Sequence, residues 1–456
     1  MSTASPIVTT SPPQPPHRSG GLLSTVALGR HIERSATTRS RLPSTLAIAA
    51  FSVVTAALLV TLAGLHAFSA RQPSTDVTPT GRQYVALAFA ASGLLIAPIL
   101  TLGGTAARLT LGRRDQRLAA MRLAGATRAQ VGAITLAETG WLALRGALSG
   151  VLLYAVLVPC LSPLHFEGRA FGPTELIVPW WWIPVVVASV TLLALGSGLV
   201  SLARVAVSPL GVAARHTPRS LSVVRAVVMV AMFVAWFVVA QRLEQDGTVI
   251  LMVVLPALVA VLNAVGPFAM MLMGRVVAGL ARGPRTLLAA RRIVDDPRGA
   301  WRAVGALGLG ITVAGLAGTA AAMGTSDPQA NQLLIDMRTG ALVTLGMIAV
   351  IAATSTGVVQ AARIIDGSAQ LRMLGLAGAQ ERDLVVAGRR EVTLPLGVTV
   401  VLACGFCALV LAPTANAISG GTLLWLALAV VGSVALMLAA LRSTVPLIRR
   451  ALTEPR

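Results

Sequence analysis

Glu138, Arg145 and Glu391 stand out in this sequence because they are the ionisable residues that fall within or at the edge of long apolar runs. A charge in such a place is costly and commonly functional, as part of an ion path, a proton relay or a substrate contact. Glu138 and Glu391 sit near one end of their runs, where pairing with an interfacial Arg is the simpler reading. Glu138 and Arg145 share one helix face but are separated by about 10 Å of helical rise. A direct pair between them would need a bend. No series of carboxylates or histidines continues through the apolar runs, which argues against a proton-driven carrier. Cys404 and Cys407 form a C-G-F-C on one helix face, and Cys160 stands apart, so metal or redox use is disfavoured. Neither paired carboxylates nor a His, Cys or Ser constellation recurs at one depth, and an intramembrane enzyme is poorly supported. Every basic residue is Arg, because the sequence contains no Lys. A phosphate loop of the G-x-x-x-x-G-K-[ST] type needs its Lys on the β and γ phosphates. The chain is therefore expected to bind no cofactor and to hydrolyse no ATP by itself.

These residues have to be positioned by membrane helices. The 456 residues are 55% apolar and 12% charged, with a mean hydropathy of +0.79, far from the balance of a soluble domain. Runs of about 20 apolar residues, long enough to cross a hydrocarbon core of roughly 30 Å, begin near Ser44, Tyr84, Ile134, Ile183, Ala226, Thr248, Ala303, Gly340, Val392 and Thr422. The expected fold is an all-α integral membrane protein with ten spans. The Pro, Ser and Thr rich beginning reads as a disordered cytoplasmic tail. The first apolar run lies too deep and is too long for a signal peptide, so it is expected to be a retained anchor.

A net charge of +20 raises nucleic acid as a partner, but the distribution of the charge explains it otherwise. With the N-terminus in the cytoplasm, the outer side carries only Arg71, Arg82, Arg169, Arg242 and Arg338, and Arg145 lies inside a span. All other basic residues fall in cytoplasmic segments. The outer loops instead hold Asp76, Glu167, Glu175, Glu244, Asp246, Asp327 and Asp336. This is the positive-inside pattern, which places both termini in the cytoplasm of a multi-pass plasma-membrane protein. No nucleic-acid partner is needed.

The chain also repeats itself. LAAMRLAGA at 118–126 returns as LRMLGLAGA at 371–379, and the same offset pairs Thr101 with Thr354, Gly104 with Gly357 and Glu138 with Glu391. Each copy belongs to a unit of four spans that starts in the cytoplasm, so the copies run parallel and two further spans join them in a 4+2+4 arrangement. The expected divisions are a tail at 1–27, a first repeat at 28–222, a two-span linker at 223–276 and a second repeat at 277–456. Extra residues in the first repeat fall mainly at 161–178, read as a loop tolerant of insertion. Residues 113–124 read as a short surface helix with Leu111, Leu118 and Met121 on one face and Arg113, Arg114, Arg117 and Arg122 around the rest. Gly125 suits a left-handed end to that helix, and Thr127 with Gln130 makes a capping box that starts the next. The second copy keeps Gly378 but has Gln380 and Asp383, a weaker cap. Gly146 and Gly150 form G-x-x-x-G, and small residues crowd the run after Ala303, as expected of closely packed helices. Pro179 and the three tryptophans after it read as an aromatic belt.

The segment RRDQRLAAMRLAGATRAQVGAITLAETGWLALRGALSG resembles FtsX-like ABC transporter permeases of the MacB and lipoprotein-release group. In these a charged run, an L-x-x-L/M-R-x-x-G-A-[ST] knuckle and a Glu precede a Gly-rich span. The matching positions are Arg122, Gly125, Ala126, Thr127 and Glu138, then Gly378, Ala379 and Glu391. The resemblance implies a permease that works with a separate ABC-type ATPase subunit, a dimer that uses the ATP and docks under each knuckle. The ATPase-coupling residues it implies are Leu118, Met121, Arg122, Gly125, Ala126 and Thr127 in the first copy and Leu371, Leu374, Gly378 and Ala379 in the second. Two features depart from the family: Gly375 stands where the first copy has Arg122, and the loops at roughly 69–83 and 324–339 are too short for the large outer domain of its better-known members. The ten-span form also resembles the permeases of bacitracin-type peptide-resistance systems, without their outer domain. The implied function is export or extraction of an amphiphilic or lipophilic substrate. The alternative is a signalling protein that uses the same motion to act on an outer partner without transport.

Overall fold

The computed structural model describes residues 38–71, 79–112, 127–172, 174–207, 265–323, 326–366, 373, 376, 378, 380–411 and 420–443. The tail, the span expected near Ala226 and most of the one near Thr248 lie outside these residues. So do Leu118, Met121, Arg122, Gly125, Ala126, Leu371, Leu374 and Ala379.

The described chain is helical apart from one small hairpin. In chain order it forms α1 (Thr38–Ala70), α2 (Pro79–Gly112), α3 (Arg128–Leu161), β1 (His165–Phe166), β2 (Arg169–Ala170) and α4 (Trp182–Val207). Then follow α5 (Val265–Leu280), α6 (Pro284–Asp295), α7 (Pro297–Met323), α8 (Pro328–Asp366), α9 (Glu381–Leu411) and α10 (Gly420–Ser443). Eight of these are long and apolar enough to cross a membrane: α1 to α4 and α7 to α10. Several begin earlier than hydropathy suggests. Proline opens α2, α6, α7 and α8, because its fixed φ suits the first helical turn, where no amide donor is needed. As a result the connection expected over 324–339 shrinks to four residues ahead of Pro328, and Asp327 caps α8 by accepting the Gln329 amide at 3.0 Å.

The spans fall into two groups with one internal pattern. In the first, α1 packs on α2 and α3, and α2 and α3 both pack on α4. In the second, α7 packs on α8 and α9, and α8 packs on α10. The groups meet mainly through α2 and α8, with α1 also against α8. Glycine makes the closest approaches. A Cβ on Gly146 would lie 2.5 Å from Cβ of Phe51, and one on Gly150 would lie 2.6 Å from the Ser52 carbonyl oxygen. The G-x-x-x-G of α3 thus lets its backbone lie directly on α1. In the second group Gly308 meets Thr399 and Gly315 meets Sγ of Cys407, so Cys407 is a packing residue between α7 and α9. Phe51, Val54, Leu59 and Leu102 fill the first core, which reaches Ile348 and Ile351 of α8. Ile293, Leu307, Ile311, Leu345 and Met437 fill the second. α7 is the most enclosed span and α10 the least, with Leu424, Trp425 and Val431 facing outward.

Candidate functional site

At one end of the bundle α2 ends at Gly112 and α3 begins at Arg128, while α8 ends at Asp366 and α9 begins at Glu381; these are the described residues that flank the two knuckles. At the first, Thr127 accepts the Gln130 amide at 3.3 Å while the Gln130 side chain accepts the Thr127 amide at 3.0 Å. This reciprocal capping box launches α3. At the second, Gly378 has φ of +92°, a conformation that L side chains resist and glycine adopts freely. A short surface helix, α6, lies beside this end. Ala289, Ala290 and Ile293 are buried along one side of it.

Glu391 binds this end together. Its carboxylate accepts from Arg292 on α6 at 3.0 Å and also pairs with Arg363 in the last turn of α8. Next to it, Arg390 donates to the Thr286 hydroxyl of α6. Glu391 therefore ties the surface helix, the helix entering the second knuckle and the helix leaving it. This is the interfacial pairing that its position suggested, made to two guanidinium groups at once. Its repeat partner Glu138 is half-buried on α3. Arg145 is exposed and does not reach Glu138; its guanidinium carbon lies 4.8 Å from the Trp141 ring centroid, one turn back on the same helix.

Where the sequence predicts a loop tolerant of insertion, the other end is covered by a cap: the described residues 162–172 and 174–181 fold over the bundle. Glu167 and Gly168 have φ of 56° and 75°, the positive pair of a two-residue turn whose twist suits a hairpin. The turn pairs Phe166 with Arg169 and His165 with Ala170. Phe166, Phe171 and Leu176 then bury against Ala67 and Phe68 at the end of α1. Arg71, just past α1, has a side chain only 2% exposed. It donates to Glu175 at 2.6 Å and 3.0 Å and to the Phe166 carbonyl at 3.0 Å, pairs with Glu167 at 3.5 Å, and stacks 4.5 Å above the Phe171 ring. Burial alone would raise the Glu175 pKa, but the hydrogen bond and charge of Arg71 prevail and hold it below the usual carboxylate range.

Asp336 links this cap to the second group of helices. Buried on α8, it accepts from the Tyr84 hydroxyl of α2 at 2.6 Å, the Glu167 amide of the cap at 2.7 Å and the Gln332 side chain at 2.9 Å. Beneath the cap lies a chamber of about 440 Å³, within the usual range for small-molecule sites. Its walls come from α1, α2, α7 and α8, among them Gly64, Leu87, Leu95, Leu316, Met337 and Met347, and Phe68, Phe166 and Phe171 roof it. The lining is almost wholly apolar. In the sequence, Arg71, Glu167, Glu175 and Asp336 register only as outer-loop charge balance. The one signal for them was the insertion itself, in which Phe166, Phe171 and a Glu-Gly turn stand close together.

Among the described residues, no three His, Cys, Asp or Glu side chains group as metal ligands. Two sets of long apolar helices, with a charged surface at one end and an apolar chamber at the other, define a multi-pass helical membrane protein. Residues 87–210 match the family model of the FtsX-like permease C-terminal domain, so this part of the chain is similar to FtsX-like permeases. That match spans the second, third and fourth helices of the first group, together with the first knuckle and the cap. No curated protein and no solved structure matches the chain.

Proposed function

We propose that this chain is the membrane subunit of an ABC transporter that couples ATP hydrolysis by a separate, dimeric ATPase subunit to export or extraction of an amphiphilic or lipophilic substrate. The observation that carries the reading is the apolar chamber between the two helix groups, at the end opposite the knuckles. An apolar body in that chamber would be held by area removed from water, roughly 25 cal/mol per Å². Its walls belong to both groups, so any rotation of one group against the other changes its volume.

In this reading the knuckles face the cytoplasm and receive the ATPase through Leu118, Met121, Arg122, Gly125, Ala126 and Thr127 in the first copy and Leu371, Leu374, Gly378 and Ala379 in the second. Glu391 makes the second corner one rigid piece, so that force on the surface helix reaches α8 and α9 together. The cap is then the outer lid. The ATP is bound and cleaved by the partner, since this chain has no Lys for a phosphate loop.

Isolation of the tagged chain from its own membranes, followed by reconstitution in vesicles, tests this. A P-loop ATPase in stoichiometric amount, and ATP-dependent release of a fluorescent amphiphile to the far side, are expected. Gly340→Leu should block release, because a Cβ there would already lie 3.7 Å from the Phe166 ring and a longer side chain would fill the chamber. Robust ATP hydrolysis by the chain alone would overturn the reading. Unchanged release by Gly340→Leu would exclude the chamber as the path.

A further inference from the structure

A second cavity, of about 470 Å³, opens at the knuckle end between α2 and the second helix group, and its lining is far more polar than that of the chamber under the cap. Arg292, Arg302, Arg363, Glu391, Thr356 and Gln360 line it. The Arg292 and Arg363 side chains are 46% and 50% exposed even though both pair with Glu391. One carboxylate cannot occupy all the donors of two guanidinium groups, each of which carries five N–H bonds. Among the described residues, Arg302 donates its Nε to the Arg298 carbonyl and makes no ion pair. The other acid in the lining, Asp296, is engaged in capping α7 through the Gly299 amide at 2.9 Å. Among the described residues of the lining, three cations stand against two carboxylates and leave a single positive charge. Deeper in, Thr356 is 2% exposed and its hydroxyl has no hydrogen-bond partner among the described residues. A buried polar group of this kind costs free energy unless something satisfies it.

The cavity also continues into an apolar track. Leu100 of α2 lines it, and Leu100, Ile96 and Phe89 are each about half exposed along one face of that helix. From Phe89 to Leu100 the track runs roughly 16 Å along the helix, enough to carry much of an acyl chain. We infer that this cavity binds the phosphodiester headgroup of an anionic phospholipid from the leaflet at the knuckle end, with a tail lying along Leu100, Ile96 and Phe89. A phosphodiester carries one negative charge, which matches the local excess. A nucleotide or phosphate monoester would overcharge the site and leave the track unused. Basic pockets between membrane helices are suited to such headgroups. The bound lipid joins α2 of the first group to α6, α7, α8 and α9 of the second, at the corner that Glu391 clamps, so membrane composition tunes how firmly the corner is held.

Thermal unfolding of the purified full chain in maltoside micelles, titrated with phosphatidylglycerol, tests this. Phosphatidylglycerol should raise the midpoint saturably and phosphatidylcholine should not. Arg292→Gln and Arg363→Gln should each weaken the apparent affinity by about fivefold. Glu391→Gln should lower the lipid-free midpoint yet tighten phosphatidylglycerol, because a competing carboxylate has gone. Thr356→Val should keep or raise the lipid-free midpoint and weaken the lipid, which serves if an Arg variant does not fold. Equal shifts with both lipids, or wild-type affinity in Arg292→Gln, Arg363→Gln and Thr356→Val, would overturn the proposal. The same shift from free glycerophosphoglycerol at equal concentration would show that the ligand is a soluble anion and not a lipid.

Discussion

Arg71 decides whether the cap exists. It enters almost complete burial with its charge balanced by Glu175 and Glu167 and its remaining donors on backbone carbonyls. Removing one partner of such a pair strands the others, at about 1.5–3 kcal/mol for a hydrogen bond to a charged group. Arg71→Met should therefore speed amide exchange over residues 164–178 by roughly 10- to 100-fold, while exchange in α1 and α3 stays slow. The pH dependence has a definite sign. The Glu175 pKa is lower in the folded cap than in an open chain, so its contribution is complete above the ordinary carboxylate range and fades as pH falls through the folded value. Cap protection should be flat from neutral pH down to that range and then decline, and Glu175→Gln should remove the decline. None of this was legible from the residues in isolation, because Arg71 and Glu175 are 104 positions apart. Glu391 was legible, since an acid at a span end in an Arg-rich chain has few other fates.

Among the elements, periodicity told most where the signal was long. Spans of 18 residues or more repeat their apolar pattern many times, and eight of the ten expected are present in the described residues. The hairpin of four strand residues leaves no periodic trace, and its turn depends on Glu167 accepting a positive φ. The G-x-x-x-G of α3 was legible as packing, and the structure adds its partner, α1. Gly150→Val should push α3 from α1, cost about 1–3 kcal/mol as overpacking and lower the thermal midpoint of the purified chain. Gly357→Val is the control, because a Cβ there meets nothing nearer than 3.8 Å. At the corners, Gly378→Val should strain a left-handed residue by roughly 1–2 kcal/mol. In the reconstituted complex it should reduce ATPase stimulation, and Gly125→Val should reduce it more, because the first corner has the complete capping box and Arg122. Wild-type stimulation in both variants would leave the knuckles as packing only.

For the molecule as a whole, the Arg distribution predicts which end faces which compartment. Single cysteines placed near Gly125 or Gly378, in a chain with Cys160, Cys404 and Cys407 replaced, should resist an impermeant thiol reagent added outside intact cells. Cysteines near His165 should react. The reverse result would invert the proposed orientation and with it the roles of cap and knuckles. The expected repeat rests on two copies of a short motif that keep one spacing. The chamber was not legible in the sequence, because its walls come from four helices and a cap spread over nearly 300 residues, from Val60 to Met347. That roof is built from the first group alone, while Asp336 of the second only latches it. On the proposed function, a two-cornered engine below and a single door above would impose a gear ratio. If both corners must swing to unlatch one door, a full round of the motor delivers one cargo molecule rather than one from each half in turn, and counting ATP consumed per molecule released would read that ratio directly.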